Sequence, residues 1–318
     1  MSYNFDPELA PMIDLLPNMD FGDPVTARAG LQEMVALMLA ELDESGINIE
    51  DISIAGPTGA PEIPVRIYAP SAKASTTAAL IYIHGGGFVV GDLDTEHAAA
   101  VSLCRDLGVV LISVDYRLAP ETPFPGGLED CYATLAWVHA NAIELNVDSE
   151  RIGVMGGSAG GGLAAGLALL AKQRNGPAIC FQMLGIPELD DRLTTASMTE
   201  FVDTPVWNRP NAIRSWHYYL GDDYTSGADG VPITAAPARA TVDELRGLPP
   251  ACVTTMEFDP LRDEGLEYAQ KLLQAGVSVE VHSYPGTFHG SALIATASVS
   301  QRENADTRAV LKRGLGLE

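Results

Sequence analysis

The stretch 151–162, RIGVMGGSAGGG, sets one serine among glycines. Gly156-Gly157-Ser158-Ala159-Gly160 fits G-x-S-x-G, with an apolar run before it and small residues after it that predict a strand running straight into a helix. Such a turn forces the serine into a strained conformation, its hydroxyl projecting at the carboxyl edge of the sheet. Flanking glycines let other segments pass close on either side, and the helix dipole favours negative charge developing at the turn. Nucleophilic attack by Ser158 is the chemistry this context supports, with a plain packing turn as the structural alternative. Gly160-x-Gly162-x-x-Ala165 also fits a relaxed dinucleotide fingerprint, but that motif needs an acidic residue about 20 positions on for the ribose. No Asp or Glu lies between Glu150 and Glu188, and these glycines fall inside the helix.

A serine hydroxyl needs a base. Of the six histidines, His97, His139 and His217 fall in predicted helices, His282 in a predicted strand and His84 just before a glycine cluster. His289 stands in the segment 284–290, YPGTFHG, read as a loop at the edge where Ser158 emerges, and is the candidate base. The base needs an acid to fix its tautomer. Asp259 ends the strand ACVTTMEF and points to the same edge; Asp263 sits in the next helix's first turn, where the helix dipole explains it. The chain order Ser158, Asp259, His289 is that of α/β-hydrolases. The cluster His84-Gly85-Gly86-Gly87-Phe88 follows the strand AALIYI. Three glycines there cost backbone entropy and supply no packing, so their use is to aim N–H groups at a ligand, as an oxyanion hole requires, with a tight turn as the alternative. The N–H of Ala159 adds a donor beside the nucleophile. His84 is expected to hold the loop by hydrogen bonds.

Positioning these residues takes an alternating chain. Residues 1 to about 50 read as amphipathic helix, with Leu31, Met34, Val35, Met38, Leu39 and Leu42 at helical spacing over 26–42. From Ile52 the period changes to two short runs split by a Pro/Gly turn, an antiparallel hairpin. Strands are predicted at 78–83, 109–114, 152–155, 179–184, 251–257 and 277–283, with helices at 95–107, 128–142, 159–172 and 261–275. Continuous apolar strands alternating with helices mean an α/β fold with a mostly parallel central sheet and helices on both faces. The stretch 187–237 is too long for a connection in a compact domain and reads as an inserted helical piece. The expected organisation is a helical cap segment 1–50, a core of 51–186 and 238–318, and a cap insertion 187–237.

The net charge of −23, from 42 acidic and 19 basic residues, repels nucleic acid and anionic membranes as partners. Solubility explains it, as does adaptation to a salty medium, since lysine is confined to Lys73, Lys172, Lys271 and Lys312. Cys104, Cys131, Cys180 and Cys252 are scattered and read as free thiols. The first 16 residues are acidic and lack a signal peptide's basic region, and the apolar run 159–171 is too short to span a bilayer. A cytoplasmic protein is expected. The strand VSVEVHSY could pair edge to edge in a homodimer.

The chain resembles the hormone-sensitive-lipase-like esterases, the bacterial carboxylesterase family that also includes arylacetamide deacetylase. The resemblance runs from about Ile81 to Ala292 and rests on HGGGF (84–88), DYRLAPE (115–121), FPGGLED (124–130), GGSAGG (156–161), DPLRDEG (259–265) and FHG (288–290). It implies the α/β-hydrolase fold, the triad Ser158, Asp259 and His289, oxyanion donors at Gly86, Gly87 and Ala159, and a cap built from the N-terminal segment and 187–237. It implies neither metal nor organic cofactor. One departure is Gly157, where the family usually has Asp or Thr. The cap stretch carries Met198, Phe201, Trp207, Trp216, Tyr218 and Tyr219, aromatic walls suited to short acyl chains or simply cap packing; with Phe88, Trp207 and Tyr219 are the candidate substrate contacts. The implied activity is hydrolysis of short- to medium-chain acyl esters through an acyl-enzyme. An amide hydrolase with the same triad is the alternative. A non-catalytic binder is a more distant one, since the plant gibberellin receptors that resemble these esterases lack the histidine present here at position 289. A histidine base works only as the neutral ring, so ester turnover is expected to fall as pH drops below about 6 to 7. A rate profile flat down to pH about 4 would remove the histidine base.

Overall fold

The computed structural model describes residues 3–16, 20–72 and 76–317; the parts of the N-terminal helical expectation at 1–2 and 17–19 lie outside them. Among the described residues the strands β1 (Ile47–Ile54), β2 (Ile63–Pro70), β3 (Thr77–Ile83), β4 (Val110–Val114), β5 (Val147–Gly157), β6 (Phe181–Gly185), β7 (Ala251–Phe258) and β8 (Val279–Phe288) form one sheet. Its order is β1-β2-β4-β3-β5-β6-β7-β8. β1 and β2 make the expected antiparallel hairpin, β2 is antiparallel to β4, and every later neighbour is parallel. The continuous apolar runs of β3 and β4 are buried almost throughout, as strands covered on both faces must be.

Nine α-helices complete the described residues: α1 (Pro24–Leu39), α2 (His97–Leu107), α3 (Gly126–Ala140), α4 (Ala159–Arg174), α5 (Ala196–Glu200), α6 (Arg209–Leu220), α7 (Val242–Leu245), α8 (Arg262–Gln274) and α9 (Ser298–Gly314). α3, α4 and α8 bury their apolar faces on one side of the sheet, and α2 and α9 cover the other. No helix among the described residues is long and apolar enough to cross a membrane.

Most boundaries shift by a few residues from the sequence reading, and three of the differences have a clear local cause. Helix α1 starts at Pro24 because the Asp23 carboxylate caps it, accepting from the N–H groups of Val25 and Thr26 with proline at the first helical position. The helical reading to residue 50 gives way to β1 at Ile47, where Ile47 and Ile49 face one side of the sheet and Ile52 and Ile54 the other. The expected loop before His289 is strand: after an irregularity past Met256, Phe258 pairs with Phe288, so β8 continues to Phe288, the residue before His289.

The stretch 187–237 lies between β6 and β7 and contains α5 and α6. The N-terminal segment packs against it and against the core: Asp20 pairs with Arg214, the Phe21 ring meets Trp207 edge-on at 5.3 Å, and the Arg28 guanidinium donates to the carbonyls of Val89 and Ala119. The motifs 115–121 and 124–130 are joined by Arg117, which forks onto the buried Asp130 carboxylate at 2.7 and 2.8 Å.

Helix α4 packs on β3 through bare backbone. A Cβ at Gly160 would stand 2.1 Å from the Ile83 carbonyl oxygen and 2.5 Å from that of His84. Gly160→Ala is therefore expected to destabilise by about 1 to 3 kcal/mol, read from urea midpoints. Gly30→Ala in α1, where a Cβ meets nothing within 4 Å, is expected to stabilise by roughly 0.5 to 1 kcal/mol.

Candidate active site

Strand register sets the site. Ile83, Gly156, Leu184, Val253 and Val281 form one row across β3, β5, β6, β7 and β8, and β7 and β8 run on to a second row at Phe258 and Phe288. The residues just past these ends are His84, Ser158, Asp259 and His289, all at the carboxyl edge of the parallel strands.

Ser158 has φ 57° and ψ −124°, a conformation that costs about 1 to 3 kcal/mol for a residue with a side chain. The backbone around it holds it there. Its N–H donates to the Gly185 carbonyl at 2.8 Å, and its carbonyl accepts from the N–H groups of Gly162 and Glu188, both at 3.0 Å. Close approach explains the glycines: a Cβ at Gly156 would lie 2.2 Å from the Gly160 carbonyl oxygen, and one at Gly162 would lie 2.2 Å from that of Glu188.

The Ser158 Oγ lies 3.0 Å from His289 Nε2, and His289 Nδ1 lies 2.7 Å from Asp259 Oδ2. An ionised carboxylate only accepts, which puts the ring proton on Nδ1 and leaves Nε2 free to accept the serine O–H. The other Asp259 oxygen accepts the N–H of Leu261 at 2.8 Å, fixing the carboxylate's plane. Asp263 is not at this site: it binds the Ser197 N–H and the Arg262 guanidinium. The six residues expected from the family pattern thus fall into three sets: the line of Ser158, His289 and Asp259, Ala159 at the start of α4, and Gly86 and Gly87 in the loop that passes the elbow.

In that loop Gly86 (φ 113°) and Gly87 (φ 55°) take backbone angles that suit glycine. The Gly86 carbonyl accepts from the N–H groups of Val89 and Val90, both at 3.0 Å, which turns the loop tightly. Among the described residues no acceptor takes the N–H of Gly86 or Gly87, and the N–H of Ala159, first in α4, has no partner within its helix. Gly85 passes the elbow so closely that a Cβ would lie 3.0 Å from the Gly157 carbonyl oxygen. His84 holds the loop as expected: its Nδ1 contacts the Gly85 carbonyl at 2.7 Å, its ring stacks on Tyr116 at 4.2 Å, and burial pushes its pKa down to about 4, so it stays neutral.

Of the candidate substrate contacts, Trp207 lies beside the catalytic line, its ring 5.7 Å from that of His289 and against the space a Gly87 Cβ would take. Phe88 and Tyr219 spend their faces on each other, stacked at 3.9 Å with Trp216 alongside. The enclosure is tight: Ser158 is 8% exposed, His289 5% and Trp207 2%.

Two buried acids escaped the sequence reading. Glu188, just after β6, is wholly buried, and burial raises its pKa to about 8. Glu264 in α8, also wholly buried and raised by burial, accepts the N–H groups of Leu189 and Asp190. The available signal was position: Glu188 follows Pro187 at the carboxyl end of a strand.

A sheet of this order, with a serine elbow, a histidine and an aspartate at one edge, defines an α/β hydrolase. The chain belongs to the family described as alpha/beta hydrolase fold, whose profile matches residues 80–293, in its hormone-sensitive-lipase-like branch. It is similar to the carboxylesterase NlhH of Mycobacterium tuberculosis, 40% identical over 90% of this chain and 88% of that protein. It is similar also to an ethyl acetate hydrolase of Pseudomonas putida, 35% identical over 83% and 81%. Among solved structures, a bacterial heroin esterase superposes with a TM-score of 0.96 at 53% identity, over 98% of both chains. The chain is a carboxylic ester hydrolase, and the contacts of Ser158 and Asp259 with His289 fit a Ser-His-Asp triad.

Gly157, the departure from the family's usual Asp or Thr, has open space beside it, with nothing within 4 Å of an added Cβ. Gly157→Asp is expected to fold and stay soluble while shifting turnover or thermal stability. An insoluble or inactive Gly157→Asp variant would mean the elbow is built around glycine.

Proposed function

We propose that Ser158 is the nucleophile, His289 the general base and then acid, Asp259 the residue that orients and stabilises the imidazolium, and the N–H groups of Gly86, Gly87 and Ala159 the oxyanion donors. The observation that carries this reading is the unbroken line from Asp259 Oδ2 through the His289 ring to Ser158 Oγ, at 2.7 and 3.0 Å. In acylation His289 Nε2 takes the serine proton as Oγ attacks the ester carbonyl; the C–O bond to the alcohol breaks as His289 protonates the leaving oxygen. Water then attacks the acyl-serine as His289 takes its proton, and the bond from the acyl carbon to Ser158 Oγ breaks as His289 returns that proton to Oγ, releasing the carboxylic acid. Each oxyanion donor is worth about 2.7 to 4 kcal/mol in reactions of this kind.

Trp207 packs beside His289 and is read as a wall of the acyl site, with Phe88 and Tyr219 stacked on each other nearby, and such a confined space favours short- to medium-chain acyl groups. The relatives named for ethyl acetate and heroin hydrolysis support small esters with short acyl groups. The N-terminal segment and 187–237 act as the cap over a core of the remaining chain. The charge of −23 argues against nucleic acid as a partner. β8 is an outer strand with Val281 exposed, which supports edge pairing in a homodimer. A cytoplasmic location fits four free cysteines.

Labelling with a fluorophosphonate and locating the modified residue tests the nucleophile. Ser158 is expected to carry the label, and Ser158→Ala is expected to lose at least about 10⁴-fold in kcat. Labelling elsewhere, or undiminished turnover, overturns the reading. Over a p-nitrophenyl ester series the rate is expected to peak at short or medium acyl chains; a peak at long chains overturns the confined pocket.

A further inference from the structure

Glu188 makes a contact that its ionised form cannot satisfy. The Ser215 Oγ on α6 lies 2.9 Å from Glu188 Oε1 and 2.9 Å from the Gly87 carbonyl oxygen, and all three groups are buried. A serine hydroxyl carries one proton, and a carbonyl only accepts. If Glu188 were a carboxylate, one of the two contacts would set oxygen lone pairs against each other. With a proton on Glu188, the acid O–H donates to Ser215 Oγ and the Ser215 O–H donates to the Gly87 carbonyl, so both contacts are hydrogen bonds. The surroundings favour the same state. The titratable groups that sense Glu188 are Asp259 after β7, Glu264 in α8, Tyr116 after β4 and Tyr219 in α6, and none is a cation. An ionised Glu188 would be a buried charge without a counter-ion. Its other oxygen, Oε2, has no partner among the described residues.

We propose that Glu188, as the neutral acid, and Ser215 form a proton-ordered strut that positions the Gly87 peptide of the oxyanion loop and ties it to cap helix α6 and to the elbow. The elbow tie is the bond from the Glu188 N–H to the Ser158 carbonyl at 3.0 Å. Glu188 is a positioning residue; its contacts are to Ser215 and the elbow backbone. The inference rests on the reading of Gly87 as an oxyanion donor and Ser158 as nucleophile. It adds a pH dependence to that site. Burial raises the Glu188 pKa from 4.5 to about 8, so the folded state keeps a proton that the unfolded chain gives up. The strut's stabilisation is complete below the unfolded value and is lost as pH rises through the folded one. Above that pH the Ser215 proton is drawn to the carboxylate, the Gly87 carbonyl loses its donor, and a second negative charge stands near the developing oxyanion. The thiols of Cys104, Cys131 and Cys252 are pushed far higher, so they do not titrate in this window.

The test uses the full chain with p-nitrophenyl acetate from pH about 6 to about 10. In the native protein kcat is expected to decline through pH about 8 with the loss of one proton. Glu188→Ala is expected to lower kcat about tenfold with KM within about twofold, the weight of one hydrogen bond. Glu188→Gln, whose amide donates at every pH, is expected to recover most of that loss and to abolish the alkaline decline. Should Glu188→Ala not fold by circular dichroism, Ser215→Ala carries the test, with a similar fall in kcat expected. An alkaline limb unchanged in Glu188→Gln, or kcat unchanged in Ser215→Ala, overturns the strut. Ser158→Ala, run beside them, separates the two readings: inactive Ser158→Ala with an unaltered Glu188→Gln profile removes the strut alone, whereas active Ser158→Ala removes the nucleophile reading beneath it.

Discussion

The backbone at Ser158 is held at positive φ, and most of the neighbouring sequence is arranged to keep it there. Three hydrogen bonds clamp its peptide groups, to Gly185, Gly162 and Glu188. Each comes from a different element: the end of β6, the first turn of α4 and the segment after Pro187. The clamp works only if those backbones approach to contact distance, and side chains at Gly156, Gly160 or Gly162 would prevent it. A strain of about 1 to 3 kcal/mol is offset by bonds that only this packing allows. That arrangement aims the hydroxyl out of the sheet edge, where His289 reaches it from the far end of β8.

The electrostatic design follows from the same burial. Asp259 and His289 are nearly sealed from water, so the carboxylate acts on the ring at 2.7 Å through a poorly screening medium. Other titratable groups packed close by are held neutral. His84 is pushed down and Glu188 up, in both cases because burial penalises the charged form. Asp259 therefore meets the His289 ring with neither the Glu188 carboxyl nor the His84 ring favoured in its charged form.

Much of this was legible in the sequence because the signals are local. GGSAGG and HGGGF sit at strand ends where their glycines call for a backbone explanation, and FHG carries a histidine in the segment that follows the last predicted strand. The alternation of apolar strands and helices gave the sheet, though most element ends were displaced by a few residues, in two places because a cap or a pairing decides them. Asp23 starts α1 early, and the pairing of Phe258 with Phe288 turns an expected loop into strand. Long-range partnerships were not legible. Ser215 lies 27 residues from Glu188 and 128 from Gly87, and nothing in a lone serine on a helix signals either contact. The aromatic residues show the same limit. The motif at 84–88 and the aromatic stretch 187–237 offered Phe88, Trp207 and Tyr219 as candidate contacts, but only the fold distinguishes Trp207, beside His289, from two rings that stack on each other.

Enclosure of the site comes from outside the sheet. Ser158 is almost buried, and Trp207 from the 187–237 stretch packs beside His289 and, with Phe21 from the N-terminal segment, beside the loop. Those segments are bound to the loop they cover. Arg28 in α1 holds the carbonyl of Val89, Ser215 in α6 holds that of Gly87, and Phe21 and Trp207 pack over the space beside Gly87. The loop at 84–90 is therefore held from outside the sheet by two helices, α1 through the Val89 carbonyl and α6 through the Gly87 carbonyl, and its backbone geometry depends on where those helices sit.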